Sequence, residues 1–369
     1  MKKIFLFLLI SIFAVSVICD ANAQTKVEIG LAGDTYYATD NDQGRGLEER
    51  PLQNTNIFRN RFGTNNVLLH ANASNKDWKT NFALITYSKD PRYGESTSVD
   101  IEDANIALRL FEGLWITGGL FAIWDVDYTF DRWFTGNSLT DYRNMAGPYM
   151  AYGLEYVFND DVTLGAGLMN SNAIGFLAKP DISKSIYAKF DLENFYNDWD
   201  FTLGWITGNQ ALWEATNSTE IYLTAGGTIV DKLEAKLSAK MFMDALDVDG
   251  SDTLNTITFQ VLARYHFHKK FAAGVRFSFI TSDIPNISSS FDNIVIKRDG
   301  ITSGVDLGIV CEYNPVPYAY LRLEGGMISL SNSAHEDKIK MFSYDNKSSR
   351  LGVALSMGFK FGLFETEIK

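Results

Sequence analysis

The sequence predicts an all-β fold: a transmembrane, antiparallel, up-and-down barrel of about sixteen strands, with short periplasmic turns and long extracellular loops. Three observations predict it. Apolar and polar residues alternate with the two-residue period of a strand, most cleanly from Arg350 to Phe361. There Leu351, Val353, Leu355, Met357, Phe359 and Phe361 share one face, and Arg350, Gly352, Ala354, Ser356, Gly358 and Lys360 the other. Short and long connectors take turns down the chain, the rhythm of a meander with one trimmed rim and one elaborate rim. Finally, 46% of residues are hydrophobic and 14% aromatic. Yet after Ile18 no run of about eighteen apolar residues occurs that could cross a membrane as a helix.

The N-terminus reads as a secretory signal peptide over residues 1–23. Lys2 and Lys3 are its positive start, Ile4 to Ile18 its apolar run, and Ala21-Asn22-Ala23 its cleavage site. The barrel is then expected over 24–369 as one domain, in the outer membrane after passage through the periplasm. Cys19 would leave with the signal peptide, so Cys311 remains alone and no internal disulfide is expected. Between Ile309 and Tyr313, Cys311 reads as a lipid-side residue. The net charge of −12 argues against nucleic acid as a partner, because phosphate contacts need clustered Lys and Arg.

Strands are expected at 26–37, 64–74, 78–87, 99–111, 114–124, 147–158, 162–169 and 185–194. They continue at 199–206, 219–230, 233–243, 255–267, 271–281, 302–313, 318–329 and 349–361. The second and third are joined by Asn75-Lys76-Asp77, the fourth and fifth by Glu112-Gly113, and the sixth and seventh by Asn159-Asp160-Asp161. Further tight connectors are Phe195 to Asp198, Asp231-Lys232, His268 to Lys270 and Asn314 to Pro317, built mostly of turn-favouring residues. The other connectors, among them 125–146 and 282–301, are long. Alternation sets the facing of the later strands. Glu234, Lys236, Ser238 and Lys240 oppose Leu233, Ala235, Leu237 and Ala239, while Arg264 and Arg276 oppose Ala263 and Val275. A lipid-side Lys or Arg costs about 2–4 kcal/mol at mid-bilayer, so the charged members must point inward. A soluble propeller or sandwich would instead bury large apolar residues on its inner face. Trp78, Phe158, Trp199, Phe267, Phe271, Tyr313 and Tyr318 stand beside short turns, where a periplasmic aromatic girdle is expected. The alternation ends at Phe361, so residues 362–369 read either as an extension of the strand to Phe364 or as a short tail.

The expected pore-lining residues are Lys79, Arg109, Glu155, Lys189, Asp191, Lys236, Lys240, Arg264, Arg276, Asp306, Arg322, Glu324 and Arg350. About sixteen strands enclose room for water. A hydrated passage for small hydrophilic solutes or ions is therefore expected. The connector after the fifth strand carries Asp125, Asp127, Asp131, Arg132 and Asp141. It is a candidate constriction loop that folds inward to meet Arg264, Arg276, Arg322 and Arg350; an exposed surface loop is the alternative. No catalytic residues, metal site or cofactor is assigned. His266 and His268 point the same way but lack a third ligand at recognisable spacing, and His70 reads as a polar inward residue rather than part of a triad.

Several segments resemble a family of bacterial outer-membrane proteins described as putative beta-barrel porin-2 (OmpL-like). They are Asp34-Thr35-Tyr36-Tyr37, Asn65 to Leu69, Trp78 to Leu84, Ile101 to Leu108, Leu114 to Phe121 and Gly147-Pro148-Tyr149 leading into Tyr152-Gly153-Leu154. The resemblance implies a porin in a Gram-negative type envelope, with no enzymatic activity. Its partners would be outer-membrane lipid, the assembly machinery and the permeating solute, and both monomer and homo-oligomer stay open. The alternative to a passive channel is an occluded structural or adhesive barrel acting through its outer loops.

Overall fold

The computed structural model describes residues 25–40, 61–87, 98–121, 133–134, 149–159, 161–170, 184–195, 198–208, 215–246, 254–282, 287–291, 294–298, 303–331 and 349–368. The strands are β1 (Thr25–Asp40), β2 (Arg61–Ser74), β3 (Trp78–Tyr87), β4 (Ser98–Phe111), β5 (Leu114–Phe121) and β6 (Tyr149–Asn159). Next come β7 (Val162–Asn170), β8 (Lys184–Leu192), β9 (Asp200–Gly208), β10 (Ala215–Val230), β11 (Leu233–Leu246) and β12 (Leu254–His268). The last are β13 (Phe271–Ser282), β14 (Ile287–Phe291), β15 (Ile294–Arg298), β16 (Ser303–Val316), β17 (Ala319–Ser331) and β18 (Ser349–Ile368). Sixteen of them form one closed antiparallel barrel in which sequence neighbours are spatial neighbours. The single skip, β13 to β16, bypasses a separate hairpin of β14 and β15 within the connector expected to be a plain loop. The expected signal peptide over residues 1–23 lies outside the described residues.

β1 closes the ring against β18 from Thr25↔Ile368 to Asp40↔Gly352. Closure leaves the barrel no free strand edge, so each of its sixteen strands finds backbone partners on both sides without water. The last strand therefore reaches well past Phe361, with a register shift between Ile29 and Gly30 where Leu363 is inserted. A bulge of this kind moves the alternation by one residue. That is why the apolar phase legible up to Phe361 breaks there although the strand does not.

The core is inside out relative to a soluble fold. Outward residues are bare in the isolated chain: Ile309 is 63%, Leu323 55% and Met357 61% exposed. Their inward neighbours Ser278, Asp306 and Gln260 are at or below 2%. No helix among the described residues is long and apolar enough to cross a membrane; the spanning elements are the strands. Local chemistry makes the tight rim. The Asn75 side-chain oxygen accepts from the amides of Asp77 at 2.8 Å and Trp78 at 2.9 Å, and Asn159 does the same for Asp161 at 2.9 Å. Beside these turns Phe271 stacks between Phe267 and Tyr313, with centroids 6.0 and 4.7 Å away.

Candidate functional site

Alternation along β11, β12, β13, β16 and β17 brings the expected basic sector together on one inner wall. Register aligns Lys236, Leu262, Arg276 and Gly308 in a row across four strands. Arg264, Arg276 and Arg322 each have a carboxylate on a neighbouring strand. Arg264 donates to Glu234 at 2.7 and 3.1 Å, Arg276 lies 3.1 Å from Asp306, and Arg322 donates to Glu312 at 2.5 Å. Asn314 supplies Glu312 with a further N–H at 2.9 Å. Two of these pairs are almost wholly buried, Arg276–Asp306 at 2% and 0% exposure. Pairing and extra hydrogen bonds are what allow charge to stand in such a place. Lys240 and Glu324 are also buried and inward-facing.

Two residues of the connector after β5 are described, Trp133 and Phe134, and both sit on this wall. They are 3% and 1% exposed and cluster with Leu262 and Val310. The Trp133 ring is flanked by Lys236, 4.8 Å from its centroid, and by Arg264 at 4.6 Å. Phe134 carries Arg276 at 4.8 Å. Gly308 is the floor beneath it: a Cβ there would lie 3.1 Å from the Phe134 ring. Among the described residues, what this connector brings to the basic sector is a pair of rings that stack on the cations. Asp125, Asp127, Asp131, Arg132 and Asp141 lie outside the described residues. Charge and length had drawn attention to the connector; Trp133 and Phe134 were not singled out by the sequence.

The other expected residues are dispersed. Lys189 pairs with Asp191 at 2.7 Å on β8, and Glu155 is half-buried on the inner face of β6. Lys79 lies over the Trp115 ring at 4.9 Å. Arg109, near the tight rim, donates to the carbonyl of Lys76 at 3.3 Å. Arg350 is in β18 opposite Ile328, and its side chain is outside the described residues. Sequence reasoning missed Tyr320, whose hydroxyl donates to Asp34 at 3.2 Å while its ring packs under Arg322 at 3.8 Å. It crosses β18 at Gly358, where a Cβ would meet the ring at 2.3 Å. His266 approaches Glu234 at 3.4 Å, while His268 sits in the turn beside Phe271. Among the described residues no three His, Cys, Asp or Glu converge as a metal site. A groove lined by Leu154, Leu164, Phe190, Leu203 and Trp205 is on the outer, lipid side and so stands apart from any route through the lumen.

A family described as "Putative beta-barrel porin-2, OmpL-like" matches residues 26–361. No curated protein sequence matches. Among solved structures, the outer membrane channel DcaP of Acinetobacter baumannii is similar in fold, with a TM-score of 0.59 at 11% identity over 93% of this chain and 99% of that one. An anion-selective porin from Comamonas acidovorans gives 0.58 at 10% identity over 91% and 100%. The outer membrane protein OmpT of Vibrio cholerae, in a trimer form, gives 0.57 at 12% identity over 91% and 99%. At these identities the likeness is one of fold.

Proposed function

The chain belongs to the beta-barrel porin-2, OmpL-like family and is an outer-membrane channel for passive diffusion; from that premise we propose how its lumen filters what passes. Small hydrophilic solutes diffuse through a hydrated interior narrowed on one side by the Trp133 and Phe134 rings. Ionic preference is weak. The observation that carries this is the pairing of Arg264 with Glu234, Arg276 with Asp306 and Arg322 with Glu312. A paired, buried cation presents little net field to a passing ion, and exposed charges are screened within about 10 Å at 0.1 M salt. The Comamonas relative is anion-selective; here the arginines of the wall are already neutralised. In this reading the chain carries no reaction and assembles as a homo-oligomer, as the structurally similar OmpT does in its trimer form.

Reversal potential in a planar bilayer under a tenfold salt gradient tests the selectivity. An ideally selective pore would give about 59 mV for a univalent ion. A small fraction of that is expected, and a value approaching the full one would sink the neutralised-wall reading.

A further inference from the structure

The wall facing the seated rings has a different chemistry. In the closed ring β4 stands eight strands from β12, so β2, β3 and β4 line the lumen across from Leu262 and Arg264. Asn105 lies six residues from the tight-turn end of β4 and Leu262 six from that of β12, which sets them at similar height. Asn72, Asn81 and Asn105 are successive cross-strand partners, a row of three amides. They share the inner face, since Ile106 and Leu108 beside Asn105 are exposed on the lipid side.

Hydrogen bonding gives the row a direction. Asn105 donates an amide N–H to the Asp103 carboxylate, which as an anion can only accept. That turns the Asn105 carbonyl oxygen to Asn81, whose amide donates to it at 3.3 Å. Asn81 is exposed, and its own carbonyl oxygen accepts from no described residue. Asn72, opposite it on β2, has no side-chain hydrogen bond to any described residue. Cross-strand partners hold their Cβ atoms about 5 Å apart, within reach of adjacent hydroxyls on one small solute.

We propose that this row is a subsite for neutral polyhydroxylated solutes, carbohydrate in chemical class, within the channel assigned above, on which it depends. A hydroxyl both donates and accepts, as a primary amide does, and the carboxylate behind Asn105 polarises the row. An anion gains little here, because the Asp103 carboxylate stands directly behind Asn105, while Lys79 lies over the Trp115 ring. Solute would thus run along the amide wall, opposite the aromatic one.

Sucrose added to a conducting planar bilayer tests it, with polyethylene glycol of matching size as the comparison. Sucrose should reduce current to a saturating limit, and the polymer should reduce it linearly. Asn72→Ala and Asn81→Ala should each raise the half-saturating sucrose concentration, by roughly fivefold per amide on the net worth of one hydrogen bond. Folded barrel is confirmed for each variant by its heat-modifiable gel mobility. A linear, polymer-like sucrose effect in the wild type would overturn the subsite while leaving the channel intact, and so would variants that saturate at the wild-type concentration. A folded protein that carries no current at all would overturn the channel and the subsite together.

Discussion

Arg322 and Glu312 are 5% and 7% exposed, so each has given up most of its hydration and depends on the other. Removing one partner strands a buried charge; removing both with apolar side chains of similar volume need not cost anything. Arg322→Ala should therefore destabilise the barrel by about 3–5 kcal/mol, whereas Arg322→Met with Glu312→Leu should recover most of that loss. Urea unfolding from lipid vesicles measures both, and equal loss in the single and double variants would contradict the pairing argument. Alternation made the inward direction of Arg322 legible from sequence, because Leu321 and Leu323 flank it. Its partner was not legible. Naming Glu312 requires the register between β16 and β17, and a two-residue period is blind to register. Trp133 and Phe134 were hidden for a related reason: a connector has no period, so nothing in it says which residue touches the wall.

At the scale of elements, strands with an unbroken two-residue phase were readable almost to their ends, and the departures have local causes. The β14–β15 hairpin contains Ser288-Ser289-Ser290, which offers no apolar alternation. The tail beyond Phe361 was obscured by the inserted Leu363, which shifts phase without ending the pairing of β18 with β1. Ending the chain after Phe361 removes the pairs from Gly30↔Gly362 to Thr25↔Ile368. Each lost backbone hydrogen bond is worth on the order of 1 kcal/mol, so the truncated barrel should lose its heat-modifiable mobility at a lower temperature; an unchanged transition would show that the seam does not need this segment. The connector after β5 makes its own prediction. Trp133→Ala with Phe134→Ala deletes three cation–π contacts, each worth about 0.5–2 kcal/mol. Single-channel conductance should rise and its open-state noise increase, and identical traces would mean these rings do not border the path.

The whole molecule is organised around one asymmetry. Large apolar side chains cover the outside, and the inside holds carboxylates, amides, hydroxyls and guanidinium groups with a smaller set of apolar residues such as Leu262 and Val310. In water that arrangement would expose dozens of apolar side chains; in a bilayer it is the arrangement that satisfies both solvents. Sixteen strands in a closed ring then set a width that side chains alone do not fill, and the rings of Trp133 and Phe134 pack on one side of its wall. The fold was legible because lipid and water impose the same two-residue period on every strand. The lumen chemistry was legible only as a list of inward groups, since neutralisation and docking arise between strands far apart in sequence.

Single-channel current through refolded, detergent-solubilised protein inserted in a planar bilayer tests this most directly. A hydrated lumen predicts discrete insertion steps whose conductance rises in proportion to salt concentration. A membrane that stays silent while the inserted protein retains its folded, heat-modifiable form would contradict it.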